Sequence, residues 1–246
     1  EGLSTDSGVH GQRGYSGEYL FMVLAASTPI PLRVWKVMGN LGSRLFFLEV
    51  NSRNKNESEL VRQITDKSYK EKEKLCREAT RDFLYGLWDT HPEGVEWDKG
   101  ADDPGLLAII SRCAMLLSRL RGVINVWHDE FSGGFKYLAP IIEKPDRLNQ
   151  LFYDQARAHA LMTGRTQLSK DDLRGIIELT IDGAPSSRAK LFKQLIKKRG
   201  MMSTPEVEEI MNYSKPTALK DMKELSILGV CQSVDQAGEA REIFLD

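Results

Sequence analysis

Apolar residues near the beginning of the chain occur in two continuous runs. Residues 19–26 (YLFMVLAA) and 44–50 (RLFFLEV) each have the length of a strand. Uninterrupted apolar runs of this length are typical of strands that are buried on both faces of a sheet. A short helix is predicted between them, over residues 32–39. Two strands joined by a helix indicate a small α/β fragment within residues 1–55.

From about residue 57 the apolar positions follow the helical period instead. Residues spaced three or four apart line one face of a helix. Pro145 and Gly164 are predicted to begin and end the third helix of this region. Three apolar stripes are predicted: Leu75, Ala79, Phe83 and Leu87; Ile109, Cys113, Leu116 and Leu120; and Leu148, Leu151, Phe152, Gln155, His159 and Met162.

The segments around these helices are also marked in the sequence. Ser169 followed by Asp172 approximates a capping box and predicts a helix that ends near residues 183–185. Residues 91–103 and 125–143 show no regular period and are predicted to be irregular. The helical region therefore covers residues 56–185.

The last part of the chain combines three helices with a hairpin. Ser203 and Pro205 predict the beginning of the middle helix, and Gly229 predicts the end of the last one. This is the order of a winged helix-turn-helix, predicted for residues 186–246. Its predicted elements are helices over 186–199, from 203 to a turn at 212–214, and over 215–228, and strands at 230–234 and 241–245.

The predicted fold class is thus mainly α with a small α/β fragment. The composition is that of an ordinary globular protein, because 41% of the residues are hydrophobic and 28% are charged. The three cysteines are Cys76, Cys113 and Cys231, too scattered for a disulfide framework or a cysteine zinc site. A reducing, cytoplasmic location is therefore expected. No metal site is predicted, and no apolar run has the length of a membrane span.

The third helix of the winged-helix segment is the predicted DNA-reading element. Its apolar side (Leu219, Met222, Leu225 and Leu228) is expected to pack against Val207, Ile210 and Met211 of the preceding helix. The exposed side is expected to enter the major groove of duplex DNA, while its lysines contact phosphates. The candidate nucleic-acid-binding residues on this side are Lys215, Thr217, Lys220 and Lys223.

The charge of this segment leaves a second interpretation open. Residues 186–246 contain ten Lys or Arg and nine Asp or Glu, a net charge of +1, and six of the basic residues fall between positions 188 and 199. The segment is therefore not strongly basic. A winged helix that contacts proteins, or a solvated basic face, is the alternative to DNA binding.

Two isolated features have both a chemical and a structural interpretation. VINVWHDE (residues 123–130) has the form of a Walker B strand, but the chain has no GxxxxGK[ST] phosphate loop. A tucked loop in which Trp127 and His128 pack is the favoured prediction. His159 lies on an apolar stripe, so a hydrogen-bonded core histidine is favoured over a metal ligand.

Three further segments resemble AAA+ ATPases, particularly helicases of the minichromosome-maintenance type. LAASTPIP (residues 24–31) resembles the end of the sensor 1 strand, LGSRLFFLEV (41–50) the arginine-finger segment, and PDRLNQLFYDQARAHALMTGR (145–165) the sensor 2 helix. The resemblance implies catalytic roles for Thr28 at the attacking water, Arg44 in a neighbouring subunit's site and Arg147 in its own. The family usually has asparagine where this chain has Thr28.

The resemblance also implies an arrangement of domains. Residues 1–55 correspond to the last part of the AAA+ core, 56–185 to a helical lid-like bundle and 186–246 to the winged helix. The core's Walker A and Walker B motifs would precede residue 1. ATP and Mg²⁺ are therefore expected as cofactors of a full-length, ring-forming homo-oligomer that acts on DNA in replication, and neither is expected in this chain alone.

Two non-enzymatic alternatives remain. In one, the chain is a winged-helix transcription regulator whose N-terminal helical region senses a signal or dimerises. In the other, it is a winged-helix scaffold that binds only proteins. No membrane partner is expected in any of the three.

Glycine recurs at every third position in SGVHGQRGYSGEY (residues 7–19). Without proline the repeat is not collagen-like, and without a following Lys-Ser/Thr it is not a Walker phosphate loop. In the family that the chain resembles, a hairpin facing the central pore lies at this place. His10, Arg13 and Tyr15 are then candidates for contact with a nucleic-acid backbone or base, and a plain surface turn is the alternative.

Overall fold

A computed structural model describes residues 5–7, 11–13, 26, 46–48, 55–128, 135–234 and 241–245. The fold is mainly helical, as predicted. The helices are α1 (Glu57–Thr65), α2 (Tyr69–Thr90), α3 (Pro104–Leu120), α4 (Asp146–Met162), α5 (Leu173–Asp182), α6 (Ser186–Lys197), α7 (Thr204–Met211) and α8 (Lys215–Ile227). The strands are β1 (Thr5–Ser7), β2 (Gly11–Arg13), β3 (Val126–His128), β4 (Phe135–Tyr137), β5 (Met201–Ser203), β6 (Gln232–Val234) and β7 (Glu242–Phe244).

The predicted α/β fragment is described only in part. β1 and β2 form an antiparallel pair within the glycine-rich stretch, with Ser7 opposite Gly11. Residues 46–48 lie in no strand, which corrects the strand predicted over 44–50 at these positions. Phe46 instead stacks on Phe152 of α4, with ring centroids 5.6 Å apart. Phe46 therefore packs onto the helices, whereas Leu48 is 60% exposed. Apart from Ala26, the predicted strand over 19–26 and the helix over 32–39 lie outside the described residues.

Three helices, α3, α4 and α5, pack against one another and form the central bundle. The buried stripes differ from those predicted. In α3 the buried stripe is shifted by one position, and in α4 it continues through alanines rather than through Gln155 and His159. The fully or almost fully buried apolar residues are Leu106, Ile110, Ala114, Leu117 and Leu120 in α3, Leu148, Phe152, Ala156 and Ala160 in α4, and Leu173, Ile176 and Ile181 in α5.

Helices α1 and α2 are different, because neither contains a buried residue. The side chain of Asn56 accepts a hydrogen bond from the Glu59 amide, and Glu59 accepts one from the Asn56 amide, so α1 begins with a capping box. The stripe predicted on α2 exists on the helix, but it is not part of a core. Leu75 is 65% exposed and Phe83 is 40% exposed.

The described parts of residues 91–103 and 125–143 contain regular structure that was not predicted. A 3₁₀ turn forms at Lys99–Ala101. β3 pairs antiparallel with β4, and Val123 forms a bridge with Ile141. The tucked loop predicted over residues 123–130 is wrong at Val126–His128, because these residues form β3. Trp127 is 45% exposed, so it is not a packing residue either.

The C-terminal part consists of α6, α7 and α8 and a three-stranded antiparallel sheet with the order β5-β7-β6. The predicted hairpin is present as β6 and β7, while β5 was not predicted. Gly229, with φ of +66°, ends α8 in the left-handed region, as expected for a glycine after a helix. The buried residues of this C-terminal part include Leu191, Leu195, Met202, Val207, Ala218, Met222, Leu225 and Ile243.

The bundle and the C-terminal part share one hydrophobic core. Arg188 of α6 is buried and donates to the carbonyls of Leu120 and Gly122, at 2.9 and 2.7 Å. A Cβ at Gly122 would overlap Cδ2 of the buried Leu228, so a larger residue there would require this side chain to shift. Arg119 also donates to the carbonyl of Gly229. Within the described ranges, every helix is too short or too polar to span a lipid bilayer.

Candidate nucleic-acid interface

Helix α8 has one fully buried side, a half-buried side opposite it, and an exposed first turn. Ala218, Met222 and Leu225 are fully buried against the rest of the C-terminal part. At about 100° per residue, Lys220 and Lys223 project to the side opposite these residues. Both are half-buried, whereas Lys215 and Thr217 at the beginning of the helix are exposed. Lys220 and Lys223 therefore lie on the half-buried side of α8, and Lys215 and Thr217 lie at its exposed beginning.

Among the described residues, the ion pairs of this part leave the three α8 lysines unused. The pairs join Arg188 to Glu224, Lys193 to Asp182 and Lys198 to Glu206, each at 3.1 Å. Because Lys215, Lys220 and Lys223 are in none of them, their ammonium groups are not neutralised by a direct partner. Such groups can approach the phosphates of a nucleic acid without first losing an ion pair.

One flank of α8 carries two carboxylates. Glu224 is tied to the guanidinium of Arg188. Burial raises the pKa of Asp221 to about 6, and the negative charge of Glu224 adds to this, while Lys220 and Arg188 act in the opposite direction. At neutral pH, Asp221 therefore keeps a negative charge beside the lysines, and it loses this charge in mildly acidic solution.

Helix α6 and the two residues that follow it carry a second group of basic residues. Lys190, Lys197 and Arg199 are exposed, while Lys193 and Lys198 are in the ion pairs named above. Arg188, which also belongs to the basic cluster noted in the sequence, is 8% exposed and is a structural residue. The cluster between positions 188 and 199 is therefore only partly available to a partner.

The remaining predicted site residues are mostly not described. Thr28, Arg44, His10 and Tyr15 lie outside the described residues. Arg13 is the last residue of β2.

Arg147 is the second residue of α4, and it is exposed. Its neighbour Leu148 is fully buried in the bundle. Arg147 thus faces solvent at the beginning of a helix whose opposite side packs in the bundle.

The loop between α4 and α5 is held by the buried carboxylate of Asp172. Arg165 donates to both of its oxygens, at 2.9 and 2.7 Å, and the amide of Ser169 donates at 2.7 Å. His159 Nδ1 lies 2.6 Å from Asp172 Oδ1. Burial by itself would raise the pKa of Asp172, but the hydrogen bonds from Arg165 and His159 outweigh it and hold the pKa well below its ordinary value.

This geometry confirms one prediction and corrects another. The capping box of Ser169 and Asp172 is present, at the 3₁₀ turn Lys170–Asp172 that precedes α5. His159 is hydrogen-bonded as predicted, but it is not a core residue, because its side chain is 47% exposed. The imidazole lies on the solvent side of the Asp172–Arg165 ion pair, and the Asp172 carboxylate is its hydrogen-bond partner.

A second buried carboxylate, Asp102, fixes the loop before α3. It accepts hydrogen bonds from Tyr153 at 2.6 Å, from Trp97 Nε1 at 3.0 Å and from the Leu168 amide at 3.1 Å. Arg157 lies over the Trp97 ring, 5.0 Å from its centroid. Every partner of Asp102 belongs to the bundle or its loops, so the cluster is a structural anchor.

The sequence patterns gave no sign of Arg188 or Asp102 as buried residues. A charged residue followed by apolar neighbours, as in Arg188-Ala189, is the only local signal, and it is common on exposed helices as well. Comparison of the chain with protein-family models, with curated proteins and with solved structures gave no match.

Proposed function

We propose that residues 186–246 form a winged-helix domain that binds duplex DNA through α8. The element order α6, β5, α7, α8, β6, β7 supports this, with β7 paired between β5 and β6. The observation that carries the proposal is the half-buried side of α8, where Lys220 and Lys223 project away from the buried face and take part in no ion pair among the described residues. In this role α8 lies in the major groove and the lysines contact phosphates.

We further propose that the chain is part of a DNA-acting AAA+ ATPase. The solvent-facing position of Arg147 at the beginning of a helix that packs in the bundle supports its role as a sensor 2 arginine. Thr28 and Arg44 keep the roles that the resemblance implies. The chain contains no GxxxxGK[ST] motif, so we do not expect residues 1–246 alone to hydrolyse ATP.

DNA binding is tested by fluorescence anisotropy with a labelled duplex in 50 and 200 mM salt. We expect the double variant Lys220→Ala/Lys223→Ala to bind about tenfold more weakly at low salt. The slope of log K against log salt should fall by about 2, because two phosphate contacts are lost. The control variant is Lys67→Ala/Lys144→Ala, which removes the same charge from exposed positions outside residues 186–246.

Two results would count against this interface. Equal weakening by the control variant would show that only the net charge matters. Absence of binding at 50 mM salt would instead favour the protein-binding scaffold, for which the carboxylates of Asp221 and Glu224 beside the lysines are the supporting observation.

A further inference from the structure

Asp221 is a half-buried carboxylate of α8 that lacks a direct partner. It forms no hydrogen bond or ion pair with any described residue. The second carboxylate of α8, Glu224, lies three positions later on the same flank, but the guanidinium of Arg188 neutralises it at 3.1 Å. Two carboxylates therefore lie close together on this flank, and the counter-charge is taken by Glu224.

The position of Asp221 on the helix places it close to the proposed DNA contacts. At about 100° per residue, it follows Thr217 by one turn on the same side of α8, and it is the residue after Lys220. Side chains one turn apart have their Cβ atoms about 5–6 Å apart. A phosphate that binds beside Thr217 therefore lies roughly 10 Å from the Asp221 carboxylate, within the Debye length of about 14 Å in 50 mM salt.

The surroundings of Asp221 favour its neutral form. Burial and the like charge of Glu224 raise its pKa to about 6, against the attraction of Lys220 and Arg188. Asp221 therefore loses its charge in mildly acidic solution, while the lysines of α8 keep theirs. Its electrostatic neighbours are Lys220 and Glu224 of α8, Arg188 of α6, Tyr137 of β4 and Tyr213 between α7 and α8, and Arg241, just before β7, acts on Tyr137.

We infer that DNA binding by α8 is coupled to the uptake of a proton by Asp221. The inference rests on the proposed function. An ionised Asp221 repels the phosphates that Lys215 and Lys220 attract, and a protonated Asp221 does not. A bound phosphate in turn favours the protonated carboxyl, so proton binding and DNA binding strengthen each other by the same factor. Asp221 thereby lowers the affinity at neutral pH without contacting the DNA itself.

The experiment measures the affinity of the whole chain for a labelled duplex, by fluorescence anisotropy in about 50 mM salt at about pH 5.5 and pH 7.5. At the higher pH we expect Asp221→Asn to bind about threefold more tightly than the wild type, because one repulsive charge is removed. At the lower pH the two should bind almost equally. The four histidines also gain charge in this range, but their contribution is the same in both proteins.

The matched control is Asp171→Asn, which removes the same charge at an exposed position outside residues 186–246. Its affinity should change with pH as that of the wild type does. A second measurement is calorimetric titration of the duplex at about pH 6.5 in two buffers of different ionisation enthalpy, which counts the protons taken up on binding. The wild type should take up more protons than Asp221→Asn. Circular dichroism checks that each variant is folded.

Three results would overturn the inference while DNA binding itself persists. They are an equal dependence of affinity on pH in the wild type and Asp221→Asn, an equal uptake of protons by the two, and an effect of Asp171→Asn as large as that of Asp221→Asn. In these cases the proposed function stands and the coupling to Asp221 is wrong. Absence of duplex binding at both pH values would instead overturn the proposed function, and the inference with it.

Discussion

At the scale of single residues, Asp172 illustrates how a buried charge is tolerated. Its carboxylate accepts hydrogen bonds from Arg165 and Ser169 and lies 2.6 Å from His159 Nδ1. A buried carboxylate is expensive to desolvate, and it remains ionised only when hydrogen bonds and a counter-charge compensate. The same carboxylate also connects the end of α4 to the beginning of α5, so its removal affects both helices.

We expect Asp172→Asn to reduce the free energy of unfolding by about 2–4 kcal/mol at pH 7, because it leaves Arg165 without its counter-charge. The pKa of Asp172 is lowered in the folded state. Its contribution is therefore complete above the pKa of the unfolded chain and is lost as the pH falls through the folded pKa. Urea unfolding measured between pH 3 and 7 should show a flatter acid limb for the variant.

The matching control is Asp171→Asn. Asp171 is the preceding residue and is exposed, so its replacement should change the stability by no more than about 0.5 kcal/mol. If the two variants were equally stable, Asp172 would not have the anchoring role described above.

At the scale of elements, α8 carries its unpaired lysines beside the carboxylate of Asp221, which is partly buried. Burial and the neighbouring Glu224 raise the pKa of Asp221 to about 6. Here the folded state binds the proton more tightly than the unfolded chain. This group therefore favours folding at low pH, and that contribution disappears as the pH rises through about 6.

We expect Asp221→Asn to stabilise the protein by about 1–2 kcal/mol at pH 7, a value reduced for the partial exposure of the side chain. Thermal unfolding at pH 5 and pH 7 tests this, since the gain should be about half as large at pH 5, where the folded carboxyl is mostly protonated but that of the unfolded chain is still ionised. The exposed Glu209 provides the control Glu209→Gln. A gain of equal size at both pH values would contradict the assignment.

The helices of the bundle show how far a periodic pattern can be interpreted. The predicted α3 stripe of Ile109, Cys113 and Leu116 is half-buried, while the adjacent stripe of Ile110, Ala114 and Leu117 is buried. Both stripes are apolar, so the period predicts a helix but cannot select the face that meets α4 and α5. In α4 the close approach of neighbours favours Ala156 and Ala160, whose small size made them weak signals in the sequence.

At the scale of the whole molecule, Arg188 joins the bundle to the C-terminal part. Its guanidinium donates hydrogen bonds to the carbonyls of Leu120, the last residue of α3, and of Gly122, just after it. It also forms an ion pair with Glu224 of α8. Because the two parts also share a hydrophobic core, we expect residues 104–245 to unfold as one cooperative unit.

Replacing Arg188 with alanine should cost about 3–5 kcal/mol, because Glu224 and two carbonyl groups are left buried without their donor. The control is Lys190→Ala, two positions later on the same helix and exposed. Calorimetry should show one transition for the wild type and a lower melting temperature for Arg188→Ala only. Two separate wild-type transitions would contradict the single cooperative unit.

The sequence by itself determined the mainly helical class, most of the helix limits and, in the C-terminal part, the order of the three helices and the hairpin. These features depend on local signals: the helical period, the capping residues Ser169 and Ser203, and the left-handed glycine at position 229. Only the tertiary structure decided which stripe of α3 is buried, that β5 joins the sheet, and that α2 keeps its stripe exposed. Which side of a helix is buried depends on which surfaces meet in the folded chain. Contacts between residues distant in sequence, such as Arg188 and Leu120, determine this.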